Sequence, residues 1–305
     1  MGAHPQVKTR TVGCGNGAPR CIGAHVSASG GIDRAVERVA ALGGTALQVF
    51  SASPRVWRKP DLESIDTQRF FERKTALSVS AVFTHALYLI NLASDKPDQL
   101  QKSIDSLKYE LAFDARIKGS GVVVHLGSHQ GRGWEASKHH ILEAIGQILL
   151  DTPAESTFLI ENSAGQNGKI GSNLEEISWL LAELSSERVG WCLDTCHAFA
   201  AGYFLGEQSP SLTAVSLSAE ITRLSLWNQL TCIHVNDSRD PFDSGRDRHA
   251  NLGEGSIPQA DFVSFLSLKE VTSLPLILEV PGSGDGPDKA NVDRLKLWLN
   301  SSSPE

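Results

Sequence analysis

Eight short, almost wholly apolar runs, each followed by a stretch with helical periodicity, constrain this chain more than any other feature. They are CIGAHVS, TALQVFS, SAVFTH, GVVVHLG, TFLIEN, VGWCLD, LTCIHVND and PLILEV. Strands this apolar are covered on both faces, as in parallel sheets whose crossovers are helices. The first crossover, GGIDRAVERVAALGG, keeps its apolar residues on one helical face and stops at a glycine pair. Further helices are expected over 66–77, in a long region ending at Ile117, and around 135–150, 174–183 and 292–299. Repeated β-then-α alternation predicts a closed (β/α)8 TIM barrel. An open doubly wound sheet is the alternative, but no GxGxxG follows the first run.

At 305 residues, with 41% hydrophobic and 21% charged positions, the chain can bury a sizeable core. No apolar run approaches the roughly 20 residues of a membrane helix. Residues 1–20 carry Lys8, Arg10 and Arg20 but no acid, and lack both amphipathic spacing and the apolar stretch of a secretory signal. Gln6 stands where a myristoylation motif needs Ser or Thr. A disordered tail is expected there, with 21–305 as one barrel domain. Cys14, Cys21, Cys192, Cys196 and Cys232 form no CxxC pair, so no disulfide scaffold or zinc finger is suggested.

Active sites of such barrels lie at the C-terminal ends of the strands. His25, His85, His125, Glu161, Asp194, His234 and Glu279 fall there, and His197, Asp247 and His249 follow in adjacent loops. Nitrogen and carboxylate donors without a dominant thiolate suit zinc or manganese. They outnumber the roughly four ligands of one tetrahedral ion, which implies two or three cations. Multi-metal sites suit in-line displacement at phosphorus. Taken alone, Asp194 and His197 in WCLDTCHAFAAGY read first as a helix-capping carboxylate with a packed imidazole; the other strand ends overturn that. His129, His139 and His140 read as surface or helix residues, Cys192 and Cys232 as inert buried thiols. GQNGKIGS at 165–172 lacks Walker spacing and reads as a strand-to-helix turn within reach of a DNA backbone.

From about Cys21 to Leu299 the chain resembles the endonuclease IV family of apurinic/apyrimidinic (AP) endonucleases. The resemblance is carried by GAHVSASGG, HALYLINLAS, HLGSH, IENSAGQ, LDTCHAFAAGY, IHVNDS, DRHANLGEG and LILEV, in the family's order. It implies a DNA-repair hydrolase with three zinc ions, manganese being a partial replacement. His85, His125 and Glu161 would hold the first ion. Glu161, Asp194, His234 and Glu279 would hold the second, and His197, Asp247 and His249 the third. Glu161, Asp194 and Glu279 would be the catalytic carboxylates. A metal-bridging hydroxide would cut 5′ to an abasic site, leaving a 3′-hydroxyl and a 5′-deoxyribose phosphate; trimming of 3′ ends would be a side activity. Arg55, Tyr88 and Leu89 match positions that the family inserts into DNA. The implied partner is double-stranded DNA containing abasic sites, met by a monomer inside the cell: in the cytoplasm or nucleoid of a prokaryote, or the nucleus or mitochondrion of a eukaryote.

The formal charge of −7 argues mildly against a nucleic-acid partner, but three Zn²⁺ would add +6, leaving about −1, and local charge governs phosphate contact. Two other readings compete. A metal-dependent sugar isomerase or epimerase on the same barrel explains strand-end ligands but not a third set. A non-catalytic damage-binding module predicts a broken ligand set, and none is broken here.

Overall fold

The structure, a computed structural model, describes Thr9 and residues 20–300. Eight parallel strands close the barrel: β1 (Ile22–His25), β2 (Ala46–Phe50), β3 (Ala81–His85), β4 (Gly121–Val124), β5 (Phe158–Glu161), β6 (Val189–Asp194), β7 (Leu230–His234) and β8 (Leu276–Leu278). Each pairs with its sequence neighbours, and β1 closes on β8 through Ile22↔Leu276 and Ala24↔Leu278. The helices are α1 (Ile32–Ala41), α2 (Thr67–Ala76), α3 (Pro97–Arg116), α4 (Trp134–Leu150), α5 (Leu174–Leu184), α6 (Thr195–Ala200), α7 (Leu217–Arg223), α8 (Gln259–Leu266) and α9 (Lys289–Asn300). The expected TIM barrel is therefore the observed fold.

The period-two alternation of the strands divides the core in two. Outward residues such as Leu47, Val82, Val122, Ile160, Leu193 and Leu278 join the helices in one large buried cluster. Inward residues, among them Ala46, Phe83, Val123, Leu159, Cys192, Cys232 and Ile277, form a second cluster inside the barrel. Two residues further on come His85, Glu161, Asp194 and His234, which end β3, β5, β6 and β7, and Glu279, just past β8. The same alternation that fills the barrel with apolar side chains thus aims polar ones at its mouth. A register shift between Trp191 and Cys192 sets Asp194 directly opposite His234. Gly23 lets β1 approach β2, since a Cβ there would lie 1.6 Å from the Ala46 carbonyl oxygen.

Two small sheets in the loops were not foreseen from the sequence. Tyr203–Phe204 pairs in parallel with Val215–Ser216, and Asp237–Ser238 pairs antiparallel with His249–Ala250. The second pair folds His249 back over the barrel. Asp237 fixes that loop, its carboxylate accepting from the backbone N–H of Ser238, Gly253, Gly255 and Ile257.

Of residues 1–20, only Thr9 and Arg20 are described. Thr9 is buried and donates to the Val189 carbonyl, and Arg20 donates to the carbonyls of Leu266 and Val271. The rest of the expected tail, and the last five residues of the expected domain, lie outside the described residues. Cys21 is disulfide-bonded, which the sparse cysteine set did not suggest. Among the described residues, no helix is long and apolar enough to cross a membrane.

Candidate metal centre

Glu161 ends β5 wholly buried, with its two carboxylate oxygens facing different histidines. Oε2 lies 3.2 Å from His85 Nε2 and 3.1 Å from His125 Nε2. Oε1 lies 3.0 Å from His234 Nδ1, which is also 3.2 Å from Glu279 Oε2 and 3.9 Å from Asp194 Oδ2. A tetrahedral cation with bonds of about 2.0 Å needs donors roughly 3.3 Å apart, so these separations fit.

Three donor groups emerge, each with its ligand atoms within 4.8 Å of one another: His85, His125 and Glu161; Glu161, Asp194, His234 and Glu279; and Asp194, His197 and His249. The first two coincide with the sets implied by the resemblance. In the third, Asp194 takes the place expected of Asp247, yet Asp247 Oδ1 is 3.0 Å from His197 Nε2 and 3.6 Å from His249 Nε2. Asp194 faces two ways. Oδ1 caps α6 by accepting from the His197 N–H at 2.8 Å, and Oδ2 points into the site. The helix-cap reading of LDTCH holds, and the same carboxylate also faces His249 Nε2 at 3.6 Å.

The outer nitrogens of four rings are occupied, which fixes which nitrogen is offered. His85 Nδ1 meets the Ala86 carbonyl at 2.7 Å, and His234 Nε2 meets Gln48 Oε1 at 2.9 Å. His197 Nδ1 meets the Asn162 carbonyl at 3.1 Å, and His249 Nδ1 the Glu279 carbonyl at 3.3 Å. The remaining nitrogens all turn inward. Although close to Asp247 Oδ1, buried His197 Nε2 and His249 Nε2 are not aligned for a hydrogen bond among the described residues, as nitrogens aimed at a shared cation would be. This donor set, imidazole and carboxylate without thiolate, fits a borderline divalent ion such as zinc.

The charges agree. Burial alone would raise the Glu161 pKa, but His125, His234 and His85 outweigh it and hold the carboxylate well below its ordinary value. Glu279 is lowered in the same way, chiefly by His234 against its own burial. Burial pushes His125 down to about 4. It pushes His197 down too, but Asp194, Asp247 and Glu161 prevail and raise that ring to about 10. Protons on such rings occupy the place a cation would take.

Sequence reasoning missed three neutral amides. Buried Gln48 donates to Glu279 Oε1 at 2.7 Å while accepting from His234. Asn236 donates to Asp194 Oδ2 at 2.6 Å and accepts from the Glu279 N–H at 2.8 Å. Asn162 exchanges two hydrogen bonds with the backbone of Asp194. An inward Gln in the second apolar run, and Asn after Glu161 and two residues past His234, were the only signals. His25 lies 3.0 Å from Gln48 Nε2 and 3.4 Å from Glu279 Oε1, outside all three donor groups.

Above the donors opens a cavity of about 390 Å³, lined by His85, His125, His197, Arg239, Arg248 and Tyr88 among others. Tyr88 is 60% exposed, its ring edge-on to Phe50 and His85. Arg55 is exposed in the loop after β2, and the Tyr88 N–H donates to the Pro54 carbonyl at 3.2 Å, joining the two loops. Leu89 is half-buried beside them. His129 accepts from the N–H groups of Gly131 and Gly133, and His139 packs on Trp179, so both stand apart from the donor groups, as does His140 on α4. The 165–172 turn contributes to a separate polar cavity with Tyr203 and Arg246.

A family model described as a xylose isomerase-like TIM barrel matches residues 36–302. A probable endonuclease 4 from Sulfurihydrogenibium sp. is 36% identical, covering 91% of this chain and 99% of the relative. Its counterpart from Haloquadratum walsbyi is 33% identical, covering 90% and 97%. The crystal structure of endonuclease IV from Thermus thermophilus superposes with a TM-score of 0.80 at 32% identity, covering 93% of this chain and all of that one. A D-tagatose 3-epimerase-like protein shares the fold at a TM-score of 0.68 and 17% identity.

Proposed function

The chain belongs to the endonuclease IV family of the xylose isomerase-like TIM barrels, and on that footing we propose that it is a DNA-repair hydrolase cutting the phosphodiester 5′ to abasic sites. The observation that carries this reading is Glu161, whose two oxygens serve two donor groups at the barrel mouth while a third group lies alongside.

Zinc is the proposed cation, three per chain, with manganese as partial replacement. His85, His125 and Glu161 would hold one ion, Glu161, Asp194, His234 and Glu279 a second, and His197, Asp247 and His249 a third, Asp194 lying within reach of the last. Bound there, the ions would supply the activated nucleophile and charge stabilisation that in-line displacement at phosphorus requires. The chain's own part is positioning. Glu161 and Glu279 stay ionised, and Gln48 and Asn236 hold Glu279 and Asp194 from behind. Arg55, Tyr88 and Leu89 would hold the opened duplex, because a nucleotide must leave the stack to be cut, at least cost where its base is missing. The reading includes an intracellular monomer with one catalytic domain over 21–305.

Incision of an abasic duplex without added Mg²⁺, with identification of the ends, tests this. A 3′-hydroxyl and a 5′-deoxyribose phosphate are expected, together with close to three zinc per chain by elemental analysis. One metal per active chain, with epimerisation of a ketose and no incision, would replace the proposal with the sugar-epimerase reading.

A further inference from the structure

Four carboxylates serve the proposed cations, and three end or follow strands. Asp194 and Glu279 have neutral amides behind them, and Glu161 is enclosed by histidines. Asp247 differs on each count. It lies on an irregular loop just after Gly245, whose φ is +65°. Its Oδ1 faces His197 and His249, and among the described residues the one polar partner of Oδ2 is Lys169 Nζ at 3.3 Å.

The lysine is well placed for this. Its N–H donates to the Gln166 carbonyl, its carbonyl accepts from Ser163 Oγ, and its backbone bridges Ser128. On either side, the Gly168 carbonyl accepts from the His129 N–H, and the Ile170 N–H donates to the Gly127 carbonyl, each at 3.0 Å. Residues 167–170 are thereby clamped to the loop that follows His125. From this fixed base the side chain crosses to a loop 78 residues further on.

We propose that Lys169 is a positioning residue for the third cation, holding Asp247 by its outer oxygen so that the inner oxygen faces His197 and His249. The inference rests on the trinuclear reading above. Two effects oppose each other. A lysine charge repels a cation, but the side chains of Lys169 and Asp247 are 31% and 25% exposed, so water screens that repulsion. Orientation is not screened, and the loss of a hydrogen-bonded partner behind a ligand typically costs about 10–100-fold in metal affinity. Orientation therefore prevails.

The test is zinc retention by the full chain during dialysis against graded chelator, for wild type, Lys169→Met and Lys169→Arg. Lys169→Met should release one of three equivalents at about 10–100-fold lower chelator, with the other two unmoved. Lys169→Arg should restore most of the difference, and thermal unfolding of the metal-free forms should coincide. A wild-type chain holding one equivalent overturns the trinuclear reading and this inference with it. A wild-type chain holding three overturns this inference alone if Lys169→Met keeps the same profile, binds the third equivalent more tightly, or sheds all three together.

Discussion

The strand-end donors and the loop-borne donors solve one problem in different ways. Glu161, Asp194 and His234 are fully buried on adjacent strands, so backbone hydrogen bonds of the barrel set their spacing. Asp247 and His249 arrive on a long excursion after β7, and their side chains remain 25% and 17% exposed. That excursion is folded by Asp237 and by the short Asp237–Ser238/His249–Ala250 pair, and Asp247 is steadied by a lysine from another loop. The barrel sets the spacing of a donor by register and leaves side-chain amides only its orientation, whereas a loop must recruit partners for both.

The comparison is broken most directly at Glu161. Glu161→Gln keeps the volume but removes the charge shared by two donor groups. We expect loss of more than one zinc per chain and a fall in incision of at least about 100-fold, exceeding the effect of losing any single supporting partner. Elemental analysis of the folded variant decides it. Retention of three ions would mean that Glu161 does not bridge.

Recognition should separate from metal binding, because Arg55 and Tyr88 are exposed on loops after β2 and β3 and belong to no donor group. Stacking on an aromatic ring contributes about 1–3 kcal/mol per base, or roughly 5–150-fold. Arg55→Ala combined with Tyr88→Ala should slow incision of duplex abasic DNA within that range. A flexible single-stranded abasic substrate should suffer less, having no stack to open, and zinc content should not change. Equal loss on both substrates, or lost zinc, would assign these residues to the fold.

The two regions should also differ in protons. His125 is held near 4 by burial, so it is already neutral at pH 7. His197, raised to about 10 by Asp194 and Asp247 against its burial, is still protonated there. In the metal-free chain this raised pKa contributes stability that is fully present below about 6.5 and lost as pH rises through about 10. Cation binding has the opposite sign, since Nε2 must shed its proton first. Zinc affinity should therefore gain up to about tenfold per pH unit between about 7 and 9 from this ring. Calorimetry in two buffers of different ionisation enthalpy should detect about one proton released per His197 engaged. Binding at pH 7 without proton release would place His197 outside the cation site.

What was legible in the sequence follows the same division. Apolar runs ending in His, Asp or Glu announce both the barrel and its donors, because one alternation sets inside, outside and mouth. His85, Glu161, Asp194, His234 and Glu279 are found by counting two residues past an inward apolar one. Gln48, Asn162 and Asn236 were not legible, because a neutral amide in an apolar run carries no signal until its partners are known. Nor was the nearness of Asp194 to His249, which depends on a two-residue sheet formed across a loop. Lys169 read as part of a turn, since its partner is remote in sequence and is fixed only once three loops converge.

The smallest expected effect concerns the sulfur that lies between two donors in the sequence. Cys196 stands between Asp194 and His197 in the sequence and is fully buried in α6. Proximity would nominate it as a soft ligand, and a thiolate would alter which cation the site prefers. Its surroundings oppose this. Burial pushes the thiol pKa up, and the Asp194 charge pushes it further. The sulfur instead leans on the Arg248 carbonyl at 3.8 Å, on the side of the loop and not of the cation groups. Cys196→Ala should keep all the zinc and leave incision unchanged within about twofold. Its cost should be that of a small buried truncation, about 1 kcal/mol, read as a drop of roughly 1–2 °C in Tm. If the variant lost one zinc equivalent at unchanged Tm, sulfur would belong to the donor set, and the division between nitrogen–oxygen strand ends and supporting loops would have to be redrawn around α6.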